Sequence, residues 1–311
     1  MDILFWSGVL FFSLFGLVKS ADYFTIWAEN FWLYFWLSSF VVWATIVAVG
    51  WSMPELATSI IWALNGHTKF AVDNVVGSNI ANTLLIWWIV AIVVKTLKVK
   101  KQLTDVDLPF FFMSSALFIL FISDWVFSWK EWIISLIMLV IFIAYTLSDR
   151  TKSFENESTI KKIKPIWLAY IFLWTLWIFI WAKYTVESVT KLGELLWISS
   201  AIITMLAVAI WTSLPELIIS VRAAMAWKHS IALWNIFGSN TFNALAVVWI
   251  PSLIVGELNV SQTVLTVWIP IFIVATLAFI FTTSDDKIQK WEWMALLVLY
   301  VVFVGNIIWF L

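Results

Sequence analysis

The chain has 311 residues, of which 63% are hydrophobic and only 12% are charged, whereas soluble domains carry about 25% charged and 45–50% apolar residues. This composition excludes a soluble enzyme, and the net charge of −1 excludes the basic surface that nucleic-acid binding requires. The absence of cysteine excludes disulfides and thiolate metal sites. The sequence therefore predicts an all-α polytopic membrane protein whose main partner is the lipid bilayer.

Ten apolar stretches are long enough to cross a bilayer, which takes about 20 residues. They cover residues 3–19, 38–64, 71–94, 108–123, 130–148, 165–184, 197–226, 231–255, 262–282 and 291–310. The first follows Asp2 rather than basic residues, so we expect a retained span and not a cleaved signal peptide. The polar stretch 149–164 separates five spans in residues 1–148 from five in residues 165–311, and we predict a cytoplasmic linker there.

The distribution of Lys and Arg predicts the orientation of the chain. If the N-terminus lies outside, the inner loops contain 14 of the 18 cations. Cytoplasmic loops of membrane proteins are enriched in these residues. We therefore expect a multi-pass protein of the cell (inner) membrane with both termini outside.

An internal repeat lies across the two halves. Residues 50–83 align without a gap with residues 211–244, at an offset of 161 residues, and twelve residues are identical in this register, two of them alanines. In the first copy the other ten are Ser52, Pro54, Glu55, Leu56, Ser59, Asn74, Gly77, Ser78, Asn79 and Asn82. Since five spans separate equivalent positions, the second copy crosses the membrane in the opposite sense. Inverted repeats with broken helices at the midplane are typical of secondary transporters, so we predict ten helices in two inverted-topology repeats of five.

Each copy places the motif S-x-P-E-L inside an apolar span. Pro breaks a helix and frees backbone carbonyls. A carboxylate at that depth costs roughly 2.5–3.5 kcal/mol or more, so an intramembrane Glu is a candidate functional residue. Glu55 and Glu216 facing each other would repel, and a bound cation would relieve both costs. Ligands that are all oxygen suit Ca²⁺ or Na⁺ rather than Zn²⁺ or Cu²⁺.

The second motif of each copy is G-S-N-x-x-N. Its Ser and second Asn are four residues apart and share one helix face: Ser78 with Asn82, and Ser239 with Asn243. The two Ser hydroxyls could instead bond to carbonyls of their own helices. Three neighbouring polar residues are interpreted as structural: Asn79 and Asn240 as helix-packing or capping groups, and Asp73 as a structural or vestibule-lining residue. Gly77 and Gly238 would permit close helix approach or a local break.

Both copies resemble the α-repeats of the sodium/calcium exchanger (cation/Ca²⁺ antiporter) superfamily, whose pattern is G-T-S-x-P-E-L followed by G-N-x-x-G-S-N-x-x-N. The resemblance covers essentially the whole chain, and the short linker is similar to that of the bacterial calcium/sodium antiporter branch. It implies Na⁺-coupled Ca²⁺ antiport by alternating access, with no enzyme activity, no cofactor and no obligate protein partner.

The resemblance also implies a set of cation ligands. They are the carboxylates of Glu55 and Glu216, the hydroxyls of Ser52, Ser78, Thr212, Ser213 and Ser239, the amides of Asn82 and Asn243, and the backbone carbonyls of Ala48 and Ala209. The divalent metal would be held by Glu55, Glu216, Asn82 and Asn243. An H⁺/Ca²⁺ exchanger or a K⁺-dependent exchanger using the same site is the alternative, since the two Glu residues could titrate.

Two other classes of membrane protein are disfavoured. An intramembrane hydrolase would need a Ser–His or Asp–Asp constellation at matching depth, and the spans contain none. A passive channel usually closes a ring of subunits or repeats around a pore, whereas here two broken-helix repeats meet at one site.

The chain departs from the superfamily pattern in two ligand positions. Trp51 stands where the first copy usually has Thr, and Asn243 stands where some members have Asp. Only two carboxylates then remain at the centre. They balance one Ca²⁺ or two Na⁺, and a third Na⁺ would leave an excess charge, so the stoichiometry stays open.

A third departure concerns tryptophan, which occurs 25 times against 9 glycines. Between the copies, Gly50 matches Trp211, Gly66 matches Trp227, and Gly193 matches Trp32; Trp211 and Trp234 also occupy positions where the pattern has Gly. The two residues are sterically the least exchangeable. We hypothesise that many of these tryptophans are glycines in the native protein, because some bacterial lineages read UGA as Gly. Interfacial belts of Trp do not explain Trp at motif positions.

Overall fold

The computed structural model describes residues 2–33, 48–94, 101–150, 166–198, 200–227, 229–284 and 289–309, which are mostly helical. The helices are α1 (Asp2–Leu33), α2 (Ala48–Trp51), α3 (Met53–Leu64), α4 (Thr68–Ile80), α5 (Trp87–Val94), α6 (Lys101–Ile122), α7 (Trp129–Arg150), α8 (Ile166–Leu196), α9 (Ser200–Ile203), α10 (Ala209–Thr212), α11 (Leu214–Met225), α12 (His229–Phe242), α13 (Trp249–Val255), α14 (Ile269–Ser284) and α15 (Lys290–Trp309). Within these residues, four segments are π-helical: Ala81–Ile86, Thr204–Val208, Asn243–Val247 and Val264–Trp268. Two short strands, β1 (Val126–Phe127) and β2 (Leu258–Asn259), pair antiparallel.

Within the described residues, six helical stretches are long and apolar enough to span a membrane. They are Asp2–Ala28, Thr68–Val94, Ile166–Leu196, Ile231–Val255, Val264–Ser284 and Trp291–Trp309, and each coincides with one of the ten predicted spans. Two further predicted spans, 108–123 and 130–148, fall on α6 and α7. The other two, 38–64 and 197–226, contain the helix breaks described below, and residues 34–47 lie outside the described part of the chain. The full ten-span frame stays a prediction, and most of the predicted linker lies outside the described residues.

The helices α1 and α8 pack along each other. Thr185 Oγ1 donates a hydrogen bond to Ser13 Oγ at 3.0 Å, and the indole of Trp181 lies where a Cβ atom at Gly16 would stand. On its other side, the pair contributes Leu17, Ala21, Ile178 and Ala182 to a small apolar cluster with Ala57 of α3. The two long helices thus form one packed unit against the first broken helix.

Helix bounds repeat at the sequence offset of 161 residues. Helix α2 corresponds to α10, and α3 corresponds to α11, residue for residue. The helix breaks between them fall on Ser52 (φ −79°, ψ 5°) and Ser213 (φ −81°, ψ 5°), both in the sparsely populated bridge region of backbone conformations. The identical local geometry shows that the repeat seen in the sequence is a repeat of structure in this region.

Gly77 allows two helices from different repeats to approach closely. A Cβ atom at this position would lie 2.8 Å from both the Cβ of Ala209 and the Sδ of Met205. Since Gly77 lies inside the uninterrupted helix α4, its function is close approach and not a helix break. It brings α4 of the first copy against the start of α10 in the second.

Three tryptophans have positive φ angles, and they are the only non-glycine residues in the described part of the chain that do: Trp125 (φ 76°), Trp197 (φ 57°) and Trp227 (φ 59°). Gly66, the repeat equivalent of Trp227, also has a positive φ of 78°. A positive φ is an outlier for a bulky side chain, whereas Gly adopts it at no steric cost. The backbone at these positions therefore has the conformation that glycine favours.

Candidate functional site

The two helix breaks position the residues of the candidate site. Pro54 and Pro215 lie two residues after the breaks, in the first turns of α3 and α11. Neither can donate a backbone hydrogen bond, which is tolerated in a first helical turn. The sequence predicted broken helices at these prolines, and the structure places the breaks at the preceding Ser residues. Each break leaves a Glu in the first turn of the following helix, where the helix dipole favours negative charge.

Glu55 and Glu216 are completely buried and face the opposite repeat. The hydroxyl of Ser213 donates to Glu55 Oε1 at 3.4 Å, and Thr212 also lies beside Glu55. In the reverse sense, the hydroxyls of Ser52 and Ser239 lie beside the Glu216 carboxylate without reaching hydrogen-bond geometry. Each carboxylate is thus bordered by the broken-helix Ser of the other copy. The two carboxylates are also close enough to repel each other.

Eight oxygen atoms of the two Glu residues and of the motif Ser and Asn residues are buried and have no hydrogen-bond partner among the described residues. They are Glu55 Oε2, both carboxylate oxygens of Glu216, the hydroxyls of Ser52, Ser78 and Ser239, and the amide oxygens of Asn82 and Asn243. An unsatisfied buried polar group costs about 1–3 kcal/mol, and more when it is charged. All eight atoms are hard oxygen donors, the kind of ligand that Ca²⁺ prefers.

The hydroxyls of Ser78 and Ser239 are unpartnered in the described structure. Neither hydroxyl bonds to a carbonyl of its own helix, although nearby Thr83 does so, to the Asn79 carbonyl at 2.7 Å. The structure thus does not show the self-bonding alternative, and the assignment of the two Ser residues as ligands stays a prediction. Asn82 lies in the first π-helical segment and Asn243 begins the third, and such widened turns are frequent at functional sites.

The remaining predicted ligands lie at the same breaks. Thr212 Oγ1 donates to the Ala209 carbonyl at 3.4 Å, and the backbone N–H of Ser213 donates to the same carbonyl at 3.3 Å. Ala48 is the first residue of α2, and Ala209 is the first residue of α10. The assignment of these carbonyls, like that of the other ligands, stays a prediction.

Asp73 lies in an environment different from that of Glu55 and Glu216. It is completely buried, and the hydroxyl of Ser261 donates to its Oδ1 at 3.2 Å. Ser261 belongs to neither copy of the repeat. Across the described residues, no three His, Cys, Asp or Glu side chains group closely enough to hold a metal. The charge available at the site is therefore that of the two Glu residues.

Two residues without an assigned role in the sequence hold the Glu-bearing helices in place. Asn74 Nδ2 donates to the Glu55 carbonyl at 3.3 Å and Thr58 Oγ1 at 3.2 Å, while Asn235 Nδ2 donates to the Glu216 carbonyl at 2.9 Å and Ser220 Oγ at 2.8 Å. Each side chain thus connects the helix that carries G-S-N-x-x-N to the Glu-bearing helix of the same copy. The sequence signal that could have indicated this role was the identity of Asn74 and Asn235 in the repeat.

Replacing Asn235 with Leu should destabilise the protein by about 2 kcal/mol, because two buried hydrogen bonds of about 1 kcal/mol each are lost. The melting temperature in detergent measures this effect. Asn306→Leu is the matched control, since the one bond of the Asn306 side chain in the described structure is to the Val302 carbonyl of its own helix, at 2.8 Å on the exposed side. Equal melting temperatures for the two variants would show that Asn235 does not brace α11.

Comparison with known proteins identifies the family. The model of the sodium/calcium exchanger protein family matches residues 5–148 and 166–309. The sodium/calcium exchanger MaX1 of Methanosarcina acetivorans is 29% identical, over 95% of this chain and 96% of that protein. The uncharacterised membrane protein MJ0091 of Methanocaldococcus jannaschii is 25% identical, over 96% and 97% of the two chains.

A solved structure has the same fold. The sodium-calcium exchanger NCX_Mj, soaked with 10 mM Na⁺ and 10 mM Sr²⁺, superposes with a TM-score of 0.67 and 27% identity, over 98% of this chain and 99% of that chain. The match to the family model extends through both halves and covers the two broken helices. The chain belongs to the sodium/calcium exchanger protein family.

Proposed function

We propose that the protein is a secondary active antiporter that exchanges Ca²⁺ for Na⁺ across the membrane by alternating access. The observation that carries this proposal is the set of eight unpartnered, buried oxygens that Glu55, Glu216 and the motif Ser and Asn residues contribute. A site of this kind is unfavourable when empty, because two like charges repel in a medium of low dielectric constant. Cation binding relieves this cost, so the site is expected to be occupied by one ion species or another.

The two carboxylates support exchange between the two ions. Their charge matches one Ca²⁺ or two Na⁺, and both ions prefer oxygen ligands. Binding of one would therefore exclude the other, which is the basis of antiport at a shared site. The name of the Methanosarcina acetivorans relative and the NCX_Mj structure soaked with Na⁺ and Ca²⁺ support the same ion pair.

We place this site in a ten-span frame of two inverted repeats in the cell (inner) membrane. The frame has both termini outside and residues 149–164 in the cytoplasm, and the distribution of Lys and Arg supports this orientation. The packed pair of α1 and α8 is proposed to move against the other helices, exposing the site to each side in turn. The location of all predicted ligands in other helices supports this assignment.

Ca²⁺ uptake into proteoliposomes tests the proposal. Purified protein is reconstituted in vesicles loaded with Na⁺ or without it, with K⁺ present or absent on either side, and at equal pH or with a pH gradient. We expect uptake only when Na⁺ is inside, with a rate that falls as the outward Na⁺ gradient is removed. Ca²⁺ uptake that is independent of Na⁺ but depends on the pH gradient would establish the H⁺/Ca²⁺ alternative. A requirement for K⁺ together with Na⁺ would establish the K⁺-dependent alternative.

A further inference from the structure

We infer that Asn79 and Asn240 are positioning residues, which turn the amide oxygens of Asn82 and Asn243 toward the transported cation. This inference rests on the proposed function. Asn79 and Asn240 do not contribute a ligand themselves. They act through hydrogen bonds to the ligand amides across the boundary between the two repeats.

Two hydrogen bonds carry the inference. Asn82 Nδ2 donates to Asn240 Oδ1 at 3.0 Å, and Asn243 Nδ2 donates to Asn79 Oδ1 at 3.1 Å. In the repeat, 79 is equivalent to 240 and 82 to 243. Each bond is thus the counterpart of the other under exchange of the two copies. All four side chains are at least 99% buried.

The chemistry of the amide group gives these bonds a consequence for the cation. An Asn side chain has one acceptor oxygen and an NH₂ donor group of nearly the same shape. Only the oxygen can bind a cation, and a rotation of the amide by half a turn would present N–H groups instead. Bonds that hold the NH₂ groups of Asn82 and Asn243 leave their Oδ1 atoms unpartnered, as cation ligands require.

The two positioning residues differ in their remaining contacts. Asn79 Nδ2 also donates to the backbone carbonyl of Asn240 at 3.3 Å. Asn240 Nδ2 has no partner among the described residues. Replacing Asn240 by Asp therefore keeps the one side-chain bond that it makes, whereas replacing it by Leu removes that bond with little change of volume. Position 240 thus offers a matched pair of variants.

Ca²⁺ affinity of the purified full-length protein, measured by isothermal titration calorimetry, tests the inference. We expect Asn240→Leu to weaken Ca²⁺ binding about 10–100-fold, the usual cost of removing a hydrogen-bond partner of a metal ligand. Asn240→Asp should bind at least as tightly as the unsubstituted protein, since its carboxylate still accepts from Asn82. Equal weakening by Leu and by Asp would overturn the inference.

A double variant distinguishes a positioning role of Asn240 from a role in packing alone. In Asn82→Asp there is no amide left to orient, because both carboxylate oxygens can bind the cation. Adding Asn240→Leu there should cost far less than in the unsubstituted protein. The same loss in both backgrounds would mean that Asn240 serves only packing. Absence of Ca²⁺ binding by the unsubstituted protein would instead overturn the proposed function itself.

The positive φ angles of Trp125, Trp197 and Trp227 bear on the identity of these residues. We propose that positions 125, 197 and 227 are glycines in the native protein, decoded from UGA. Besides their positive φ angles, all three follow helix ends: Trp125 after α6, Trp197 directly after α8, and Trp227 after α11. A left-handed residue just past a helix is most often Gly. Gly66 occupies the equivalent place after α3, and its N–H bonds to the Ala63 carbonyl as that of Trp227 bonds to Ala224, both at 3.0 Å.

The side chains at these positions provide no reason for tryptophan. Trp197 is 96% exposed and Trp227 is 76% exposed, so little apolar surface is buried in return for the backbone strain. Trp87 is the contrasting case: it is completely buried in helix α5, and its Nε1 donates to Thr282 Oγ1 at 3.2 Å.

Tandem mass spectrometry of peptides from the protein isolated from its natural source tests this assignment. We expect Gly at positions 125, 197 and 227, with the peptide containing Trp87 as the positive control for detecting tryptophan. Trp at all three positions, or UGG codons there in the gene, would overturn the proposal. The outcome does not depend on transport activity, so it is independent of the proposed function.

Discussion

Replacing Glu216 with Gln is expected to abolish Na⁺-driven Ca²⁺ uptake. The carboxylate is completely buried, both its oxygens lack a partner in the described structure, and its charge is half of that available at the site. Removing one partner of a buried pair of opposite charges typically costs 3–5 kcal/mol. Glu216 and a bound Ca²⁺ would form such a pair, so we expect a loss in Ca²⁺ affinity of about 100-fold or more. Glu55→Gln should have a similar effect, because the two residues are equivalent in the repeat.

The experiment compares initial rates of Ca²⁺ uptake into Na⁺-loaded proteoliposomes with equal amounts of reconstituted protein. Glu194→Gln is the matched control: the same chemical change at an exposed residue, whose only described ion pair is with Lys191 at 2.9 Å. Surface pairs of this kind contribute little to stability. If Glu216→Gln transported Ca²⁺ at the rate of the Glu194→Gln control, the Glu216 carboxylate would not be required for transport.

Changing Trp125, Trp197 and Trp227 together to Gly is expected to stabilise the protein. A left-handed backbone conformation costs a residue with a side chain roughly 1–2 kcal/mol, and Gly avoids this cost. Three such sites far apart in the sequence should contribute nearly additively. The expected gain is about 3–6 kcal/mol, seen as a higher melting temperature of the triple variant in detergent.

Trp87→Gly is the control for this prediction, and it should act in the opposite direction. Truncating a buried aromatic side chain typically costs 3–5 kcal/mol, and the hydrogen bond to Thr282 would be lost as well. If the triple variant were less stable than the unsubstituted chain, the three exposed indoles would have a structural function that their backbone conformation does not suggest.

The sequence predicted the positions of the apolar helices better than their lengths. The first span was expected to end at residue 19, yet α1 continues to Leu33. Lys19 and Asp22 form an ion pair at 3.3 Å on the surface of the continuing helix. Likewise, α8 extends beyond residue 184 through the pair Lys191–Glu194. Charged residues end an apolar stretch of sequence, but they do not end the helix, because ion pairs three residues apart stabilise helices.

The motif residues were predictable because the repeat places them in one register. Ser52 and Glu55, with Ser213 and Glu216, could be recognised from the duplicated S-x-P-E-L alone, and the structure brings the two copies together. The sequence did not predict the π-helical turns at Asn82 and Asn243, since their widening depends on contacts between helices. The pairing of Asn79 with Asn243 was also hidden, because spacing within one copy carries no information on contacts with the other.

Competition between Na⁺ and Ca²⁺ for equilibrium binding tests directly whether both ions use one duplicated site. Radioactive Ca²⁺ bound to the purified protein is measured by equilibrium dialysis while Na⁺ is raised at constant ionic strength. We expect Na⁺ to displace Ca²⁺ completely, and the apparent Ca²⁺ dissociation constant to keep rising as Na⁺ increases. Ca²⁺ binding that does not change with Na⁺ would contradict a shared site between Glu55 and Glu216.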